Sequence, residues 1–318
     1  MRVKEFFSAA IETGISADPR GNDAVQRELS RRKSDFDAMK DREKEFFDSE
    51  TLTNPYSDSR VLHCSSDIEV RGILAGIDIE TAEILLADTL RKSGSKIDLI
   101  VAHHPEGTAF ANLYSVMGMQ SDILNRFGVP INVAEGLMEG RAKEVERRLM
   151  PMNHSRAVDA ARLLDIPFAC LHTPADNMVV ALLQSRFDSE KPERVSDVVD
   201  LLLGIPEYRD AACHGAGPKV LLGSKERRAG RIFVDMTGGT EGAKDVFRDL
   251  TAAGVNTIVA MHLSEEHRKE AEKNHLNVVI AGHIASDNLG MNLLLDGALK
   301  GADVEVLACS GFRRIVRN

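Results

Sequence analysis

Asp98-Leu99-Ile100-Val101-Ala102-His103-His104-Pro105 is the stretch on which the fold turns. Its first five residues are almost all apolar, which is how a strand buried on both faces of an α/β sheet is written. The run stops at two histidines and a proline. Upstream, Gly72-Ile73-Leu74-Ala75-Gly76-Ile77-Asp78 reads as another buried strand and residues 80–93 as a helix. Strand, helix and strand in that order predict a parallel pair with a crossover helix. Ligands of such sheets bind in the crevice beyond the carboxyl ends of the strands, where His103 and His104 fall. Adjacent residues on an extended backbone point in different directions. One metal ion would not readily take both imidazoles, whereas two neighbouring ions could take one each. An isolated His-His pair reads more simply as a hydrogen-bonded loop.

The same grammar returns near the end of the chain. Residues 231–235, 257–260 and 277–280 read as strands, 240–253 and 284–300 as helices, and 304–308 as a last strand. Ile258-Val259-Ala260-Met261-His262 repeats Ile100-Val101-Ala102-His103-His104, and each follows a helix ending Leu-x-x-x-Gly. Two related α/β lobes explain the match; the plainer reading is that strand ends of one fold class resemble each other. The first sixty residues read as helical. Residues 22–49 mix charges of both signs around Val25, Leu29, Phe36, Met39 and Phe46, which predicts a helix packed on the body with a solvated outer face. A heptad seam through those residues would also carry Arg32 and Glu43, which argues against a coiled coil. Asn54-Pro55-Tyr56-Ser57-Asp58 is turn chemistry. The expected organisation is a helical N-terminal extension over 1–60, a first α/β lobe with a helical insertion over 61–205, and a second α/β lobe over 206–318.

The 318 residues are 43% hydrophobic and 28% charged, with a formal net charge of −9. That composition suits a folded core. The charge argues against coating of nucleic acid or an acidic membrane, so no extended nucleic-acid partner and no membrane partner are expected. No run approaches the roughly 18 apolar residues of a membrane span, and charge at Arg2, Lys4 and Glu5 sits where a signal peptide needs its apolar run. The cysteines, Cys64, Cys170, Cys213 and Cys309, are far apart and form no C-x-x-C. Thiols used so sparsely suit a reducing cytoplasm.

Two further segments carry side chains of the right chemistry. His283-Ile284-Ala285-Ser286-Asp287 follows a strand and opens a helix, so His283 and Asp287 lie one turn apart on one face. That is metal-ligand spacing and equally an ordinary helix start. His172-Thr173-Pro174-Ala175-Asp176 follows the strand-like 167–170, placing Asp176 in a first turn where a carboxylate is favoured in any case. Met236-Thr237-Gly238-Gly239-Thr240-Glu241-Gly242 precedes a helical run, and its glycines could let backbone N–H groups hold a phosphate; its spacing matches neither G-x-G-x-x-G nor a Walker A loop. Arg141 and Lys143, interleaved with Glu144 and Glu146, read as a solvated helix face rather than a phosphate clamp.

Taken together, the segment 98–105, His172-Thr173-x-x-Asp176 and Ala281-Gly282-His283-x-x-x-Asp287 resemble the signature set of the Nif-three-like (NGG-one-interacting factor) family. Members are often described as type 2 GTP cyclohydrolase I. The resemblance covers roughly residues 70–110, 165–180 and 230–318. It implies a site for two divalent metal ions between two α/β lobes, with His103, His104, Asp176, His283 and Asp287 as ligands and coordination positions left open for water. Mixed imidazole and carboxylate suits zinc, iron, manganese or nickel. Glu106 and His172 are then the candidates for moving protons or touching substrate, set against a solvated loop acid and a residue that orients Asp176. The implied activity is hydrolysis of a small nucleotide-like substrate, such as opening of the GTP imidazole ring with release of formate. The same site would serve a phosphoesterase, and a metal-binding scaffold that engages a regulator would need the ligands and no substrate. A homo-oligomer is implied as well. The chain departs from the pattern at Asp287, where Glu is usual, at Glu106, where an apolar residue is usual, in its first sixty residues, and in the longer span between His104 and Asp176.

Overall fold

Every residue of strands β2 (Gly72–Gly76), β3 (Leu99–Ala102) and β4 (Phe168–Cys170) is buried, as their unbroken apolar runs require. They run parallel, and β1 (Arg60–His63) closes one side antiparallel to β4. The second sheet is built the same way. Strands β6 (Arg231–Asp235), β7 (Val255–Ala260) and β8 (Asn277–Ile280) are parallel, and β5 (Lys219–Leu222) runs antiparallel to β8. The strand orders are β1-β4-β3-β2 and β5-β8-β7-β6, in the same chain sequence. The protein is a mixed α/β fold of two related lobes with a helical start. The final strand β9 (Glu305–Cys309) does not join the second sheet. It returns to the first and pairs in parallel with β2. This is a computed structural model, and it describes residues 1–317.

The two sheets meet through helices. Helix Thr173–Glu190 leaves β4 and helix His283–Ala298 follows β8 in the same way. Both are apolar around much of their circumference and bury most faces, so neither could stand on a surface. Their crossing is close because Gly290 lacks a Cβ: one built there would lie 2.5 Å from the carbonyl oxygen of Ala175. Helix α1 (Val3–Ser16) buries Val3, Phe6, Phe7, Ala10, Ile11 and Gly14, one stripe at helical spacing. It packs against both crossing helices, with Gly14 against Pro174 and Thr13 against Gly297.

The charged segment after it behaves differently from its sequence reading. Helix α2 (Asn22–Ala38) ends before Met39, and only Val25 on it is buried. Phe36 stacks on Phe47 at 4.8 Å and Phe46 is 85% exposed. The apolar residues are too few to seat the whole stretch on the body, so they pair locally. The turn-like 54–60, by contrast, is buried throughout. Asn54 donates to Ser59 O, and Tyr56 Oη donates to Asp18, so turn chemistry here satisfies an interior loop. Among the described residues, no helix is long and apolar enough to cross a membrane.

Candidate metal centre

His103 and His104 stand at the carboxyl end of β3, Asp176 in the first turn after β4, and His283 and Asp287 in the first turns after β8. The crossing of the two long helices brings both aspartates to the ends of the strands. Asp287 is fully buried, and neither of its oxygens has a hydrogen-bond partner. Asp176 Oδ1 and His103 Nε2 are unpartnered too. Asp287 Oδ1 lies 3.5 Å from His103 Nε2, and Asp287 Oδ2 lies 3.5 Å from His104 Nε2 and 3.7 Å from His283 Nε2. Asp176 Oδ1 is 3.5 Å from His103 Nε2. These gaps are too long for good hydrogen bonds, yet they match the edge of about 3.4 Å between two ligands of one ion bonded at about 2.1 Å.

Three sets of ligand atoms lie within 4.8 Å of one another: His103 with Asp176 and Asp287, His104 with His283 and Asp287, and His103 with His104 and His172. Buried polar atoms are ordinarily satisfied. A group of them left without partners and turned toward one another fits a metal ion, so the cluster could bind metal. The ring orientations are held from behind. His104 Nδ1 is 2.6 Å from Asp78 Oδ1, His103 Nδ1 faces the carbonyl oxygen of Leu171 at 3.2 Å, and His172 Nδ1 is 2.8 Å from Asp58 Oδ2. In each case Nε2 is left for the cluster, the arrangement metal-binding histidines use.

The chain shares 32% sequence identity with a solved NIF3 superfamily protein from Sphaerobacter thermophilus, over 80% of this chain and 91% of that one, at a TM-score of 0.70. The chain belongs to the NIF3 superfamily. Reduced HcgD from Methanocaldococcus jannaschii aligns at 13% identity over 78% of this chain and 87% of its own, with a TM-score of 0.47. TTHA1606 from Thermus thermophilus aligns at 15% identity over 80% and 89%, with a TM-score of 0.45. No family model and no curated protein matches the sequence.

The electrostatics of this NIF3 superfamily site follow from burial and crowding. Burial pushes the His103 imidazole down to about 4, so it is neutral and its Nε2 lone pair is free. Burial alone would raise Asp287, but the imidazoles of His103, His104 and His283 outweigh it and hold the carboxyl far below the usual range. Asp176 goes the other way: burial takes it up to about 8, against the pull of His172. Burial would lower His172, yet Asp176 and Asp58 take it up to about 9.

The six residues His103, His104, His172, Asp176, His283 and Asp287 are brought together. Glu106 is not in the cluster; it lines the cleft above it, with burial and Glu80 pushing its carboxyl up to about 7. His262 lines the same cleft, its ring 5.0 Å from that of His283. The glycine loop 236–242 does not open a helix as expected. Helix starts only at Val246, and Gln120 Nε2 donates to the carbonyl oxygens of Gly238 and Thr240, tying the loop to the first lobe. Sequence reasoning passed over Asp58 and Asp78 as partners of His172 and His104, and Asp235 as a cleft residue. Asp78 and Asp235 sit at strand ends, a signal that could have found them. Asp58 reaches His172 across a long span of chain, and nothing local marks it.

Proposed function

We propose that this protein is a metal-dependent hydrolase that holds two divalent ions in this cluster. The observation that carries the reading is the buried Asp287 carboxylate, which has no hydrogen-bond partner and stands in two of the ligand sets. His103 and Asp176 would complete one set, and His104 and His283 the other. A pair of such ions supplies a water of lowered pKa at neutral pH and polarises the bond to be split. The chain's own groups do the rest. Asp78 and Asp58 fix His104 and His172 so that each Nε2 faces inward. Glu106, at the cleft wall with its carboxyl near neutrality, takes up and returns a proton at its carboxylate oxygen. His172 Nε2, 3.8 Å from Asp176 Oδ2, steadies that carboxylate or passes a proton to the leaving group. The protein works as a cytoplasmic homo-oligomer in this reading.

Elemental analysis of untagged protein beside Asp176→Ala tests it. About two transition-metal ions per chain, falling sharply in the variant, supports the reading and opens a substrate screen. Less than a tenth of an ion per chain after anaerobic reconstitution with zinc, iron and manganese overturns it. Formate from GTP would mark imidazole-ring opening, and phosphate would mark phosphoester cleavage. Metal uptake with no turnover on any substrate would favour a metal-binding scaffold that engages a regulator.

A further inference from the structure

The cleft above the cluster encloses about 480 Å³ between the lobes. Its floor includes His104, His172, His283 and Asp176, the last with an unpartnered oxygen aimed at the cluster. Its walls carry five carboxylates besides: Asp78, Glu80, Glu106, Asp235 and Glu241. Among the described lining residues the one Lys or Arg is Arg156, which is exposed and stands 3.8 Å from Glu80, so its charge is already opposed. Phe110, Leu113, Met236 and Leu263 add an apolar surface between the acids. The glycine loop, the other element from which an anion cradle could be made, leads into no helix start.

Walls of one sign around a low-dielectric cleft concentrate ligands of the opposite sign and repel their own. The two ions of the proposed function would put four positive charges at the floor, half of them offset by Asp176 and Asp287, but a triphosphate standing along the walls would still bring about four negative charges against five carboxylates, Glu106 only partly ionised, with a single compromised arginine beside them. The geometry points to a substrate that carries an ammonium or guanidinium group on a carbon stem, rather than a polyphosphate. The cation lies among the wall carboxylates, the stem lies along the apolar surface, and the group to be hydrolysed reaches the floor. This rests on the part of the proposed function that makes the cleft the substrate site. It ranks GTP and other nucleotides below amine-bearing or guanidine-bearing compounds.

Calorimetric titration of zinc-loaded protein with agmatine and with GTP tests the inference, with metal content measured on the same sample. Agmatine is expected to bind. Its affinity should fall about three- to tenfold in Glu80→Gln/Glu241→Gln, as two partly exposed charges are removed, and should rise in Arg156→Gln. Opposite signs in the two variants cannot come from misfolding of both. Absence of agmatine binding, or GTP binding that is tighter than agmatine and weakened by Arg156→Gln, overturns the inference. Two zinc ions per chain with no agmatine binding overturns charge selection while the hydrolase reading stands. Charge-dependent agmatine binding by protein that takes up no zinc supports charge selection and overturns the hydrolase reading.

Discussion

Replacing Asp58 by asparagine isolates the support behind His172. The carboxylate is wholly buried and accepts from His172 Nδ1 at 2.8 Å and from Thr173 Oγ1 at 2.6 Å. A hydrogen bond to a charged group contributes about 1.5–3 kcal/mol, and breaking one side of a buried pair costs about 3–5 kcal/mol. Asparagine keeps the shape and one acceptor, so the expected loss is about 2–4 kcal/mol in metal-free protein at pH 6. The pH dependence identifies its origin. Burial alone would raise Asp58, but His172 and Thr173 hold it below its ordinary value, so its contribution is present above about pH 4 and is lost as pH falls through the depressed folded value. His172 is raised to about 9, so its contribution is full below about pH 6.5 and is lost as pH rises through 9. Wild type minus variant should therefore be largest from about pH 4 to 6.5 and shrink as pH rises from about 6.5 through 9. Urea unfolding in chelator across pH 4–10 measures it. A difference that is flat over that range, or absent at pH 6, refutes the reasoning. In Asp78→Asn, which removes the partner 2.6 Å behind the ligand His104, zinc affinity should fall about 10–100-fold, and a chelating dye in competition reads it.

Three other perturbations have expected outcomes. Gly290→Ala pushes a methyl to within 2.5 Å of the Ala175 carbonyl oxygen, so it should cost about 1–3 kcal/mol in urea despite the better helix propensity of alanine. It should also lower zinc occupancy, because Asp176 and Asp287 ride on the two helices it separates; unchanged occupancy would argue against that coupling. Asp235 is raised to about 6 by burial, with Glu241 adding to the shift and His262 and His267 opposing it. Wild type therefore loses stability as pH rises from about 4 through 6, and Asp235→Asn should be more stable by about 1–3 kcal/mol at pH 8, with the gain gone at pH 4 in thermal melts. Chelator-treated protein given zinc at about 100 times its dissociation constant should gain about 2.7 kcal/mol for each ion bound, about 5.4 kcal/mol for two, with a Tm several degrees higher, and Asp287→Ala should show no such shift by scanning calorimetry.

The sequence was most legible where chemistry and backbone pattern coincide. Residues 98–105 announce a buried strand and the two imidazoles at its end, and β3 ends at Ala102 as that reading requires. His172-x-x-x-Asp176 and His283-x-x-x-Asp287 each follow a strand and open a helix, so their side chains could be placed without the fold. It was least legible where a long-range partner decides. Residues 236–245 resemble a strand-to-helix turn, but Gly238 and Gly239 take φ near 90° and the carbonyls of Gly238 and Thr240 accept from Gln120, which postpones the helix to Val246. Asp58 reads as turn chemistry because the side chains that bond its carboxylate in the interior, His172 and Thr173, lie far along the chain. The C-terminal strand reads as β, but nothing in its residues says that its partner is β2 rather than β6.

The internal repeat explains why the centre is lopsided. Gly76 and Ala102 pair in the first sheet as Asp235 and Ala260 pair in the second, so His103 and His104 correspond to Met261 and His262. By the same pairing Cys170 corresponds to Ile280, so His283 and Asp287 stand one position further along the chain than the equivalents of His172 and Asp176. A symmetric molecule would set two histidines from each β3-type strand around the crossing helices. Here the second lobe has the soft, apolar Met261 where the first has a buried imidazole, and His262 stands outside the three ligand sets. The crowding of hard ligands therefore shifts toward the first lobe, while the second lobe turns His262, Asp235 and Glu241 to the cleft. One copy of the repeat supplies most of the cluster and the other supplies a wall. That division leaves the approach to the cluster open from the second lobe, and the acids of that wall bear directly on what can approach.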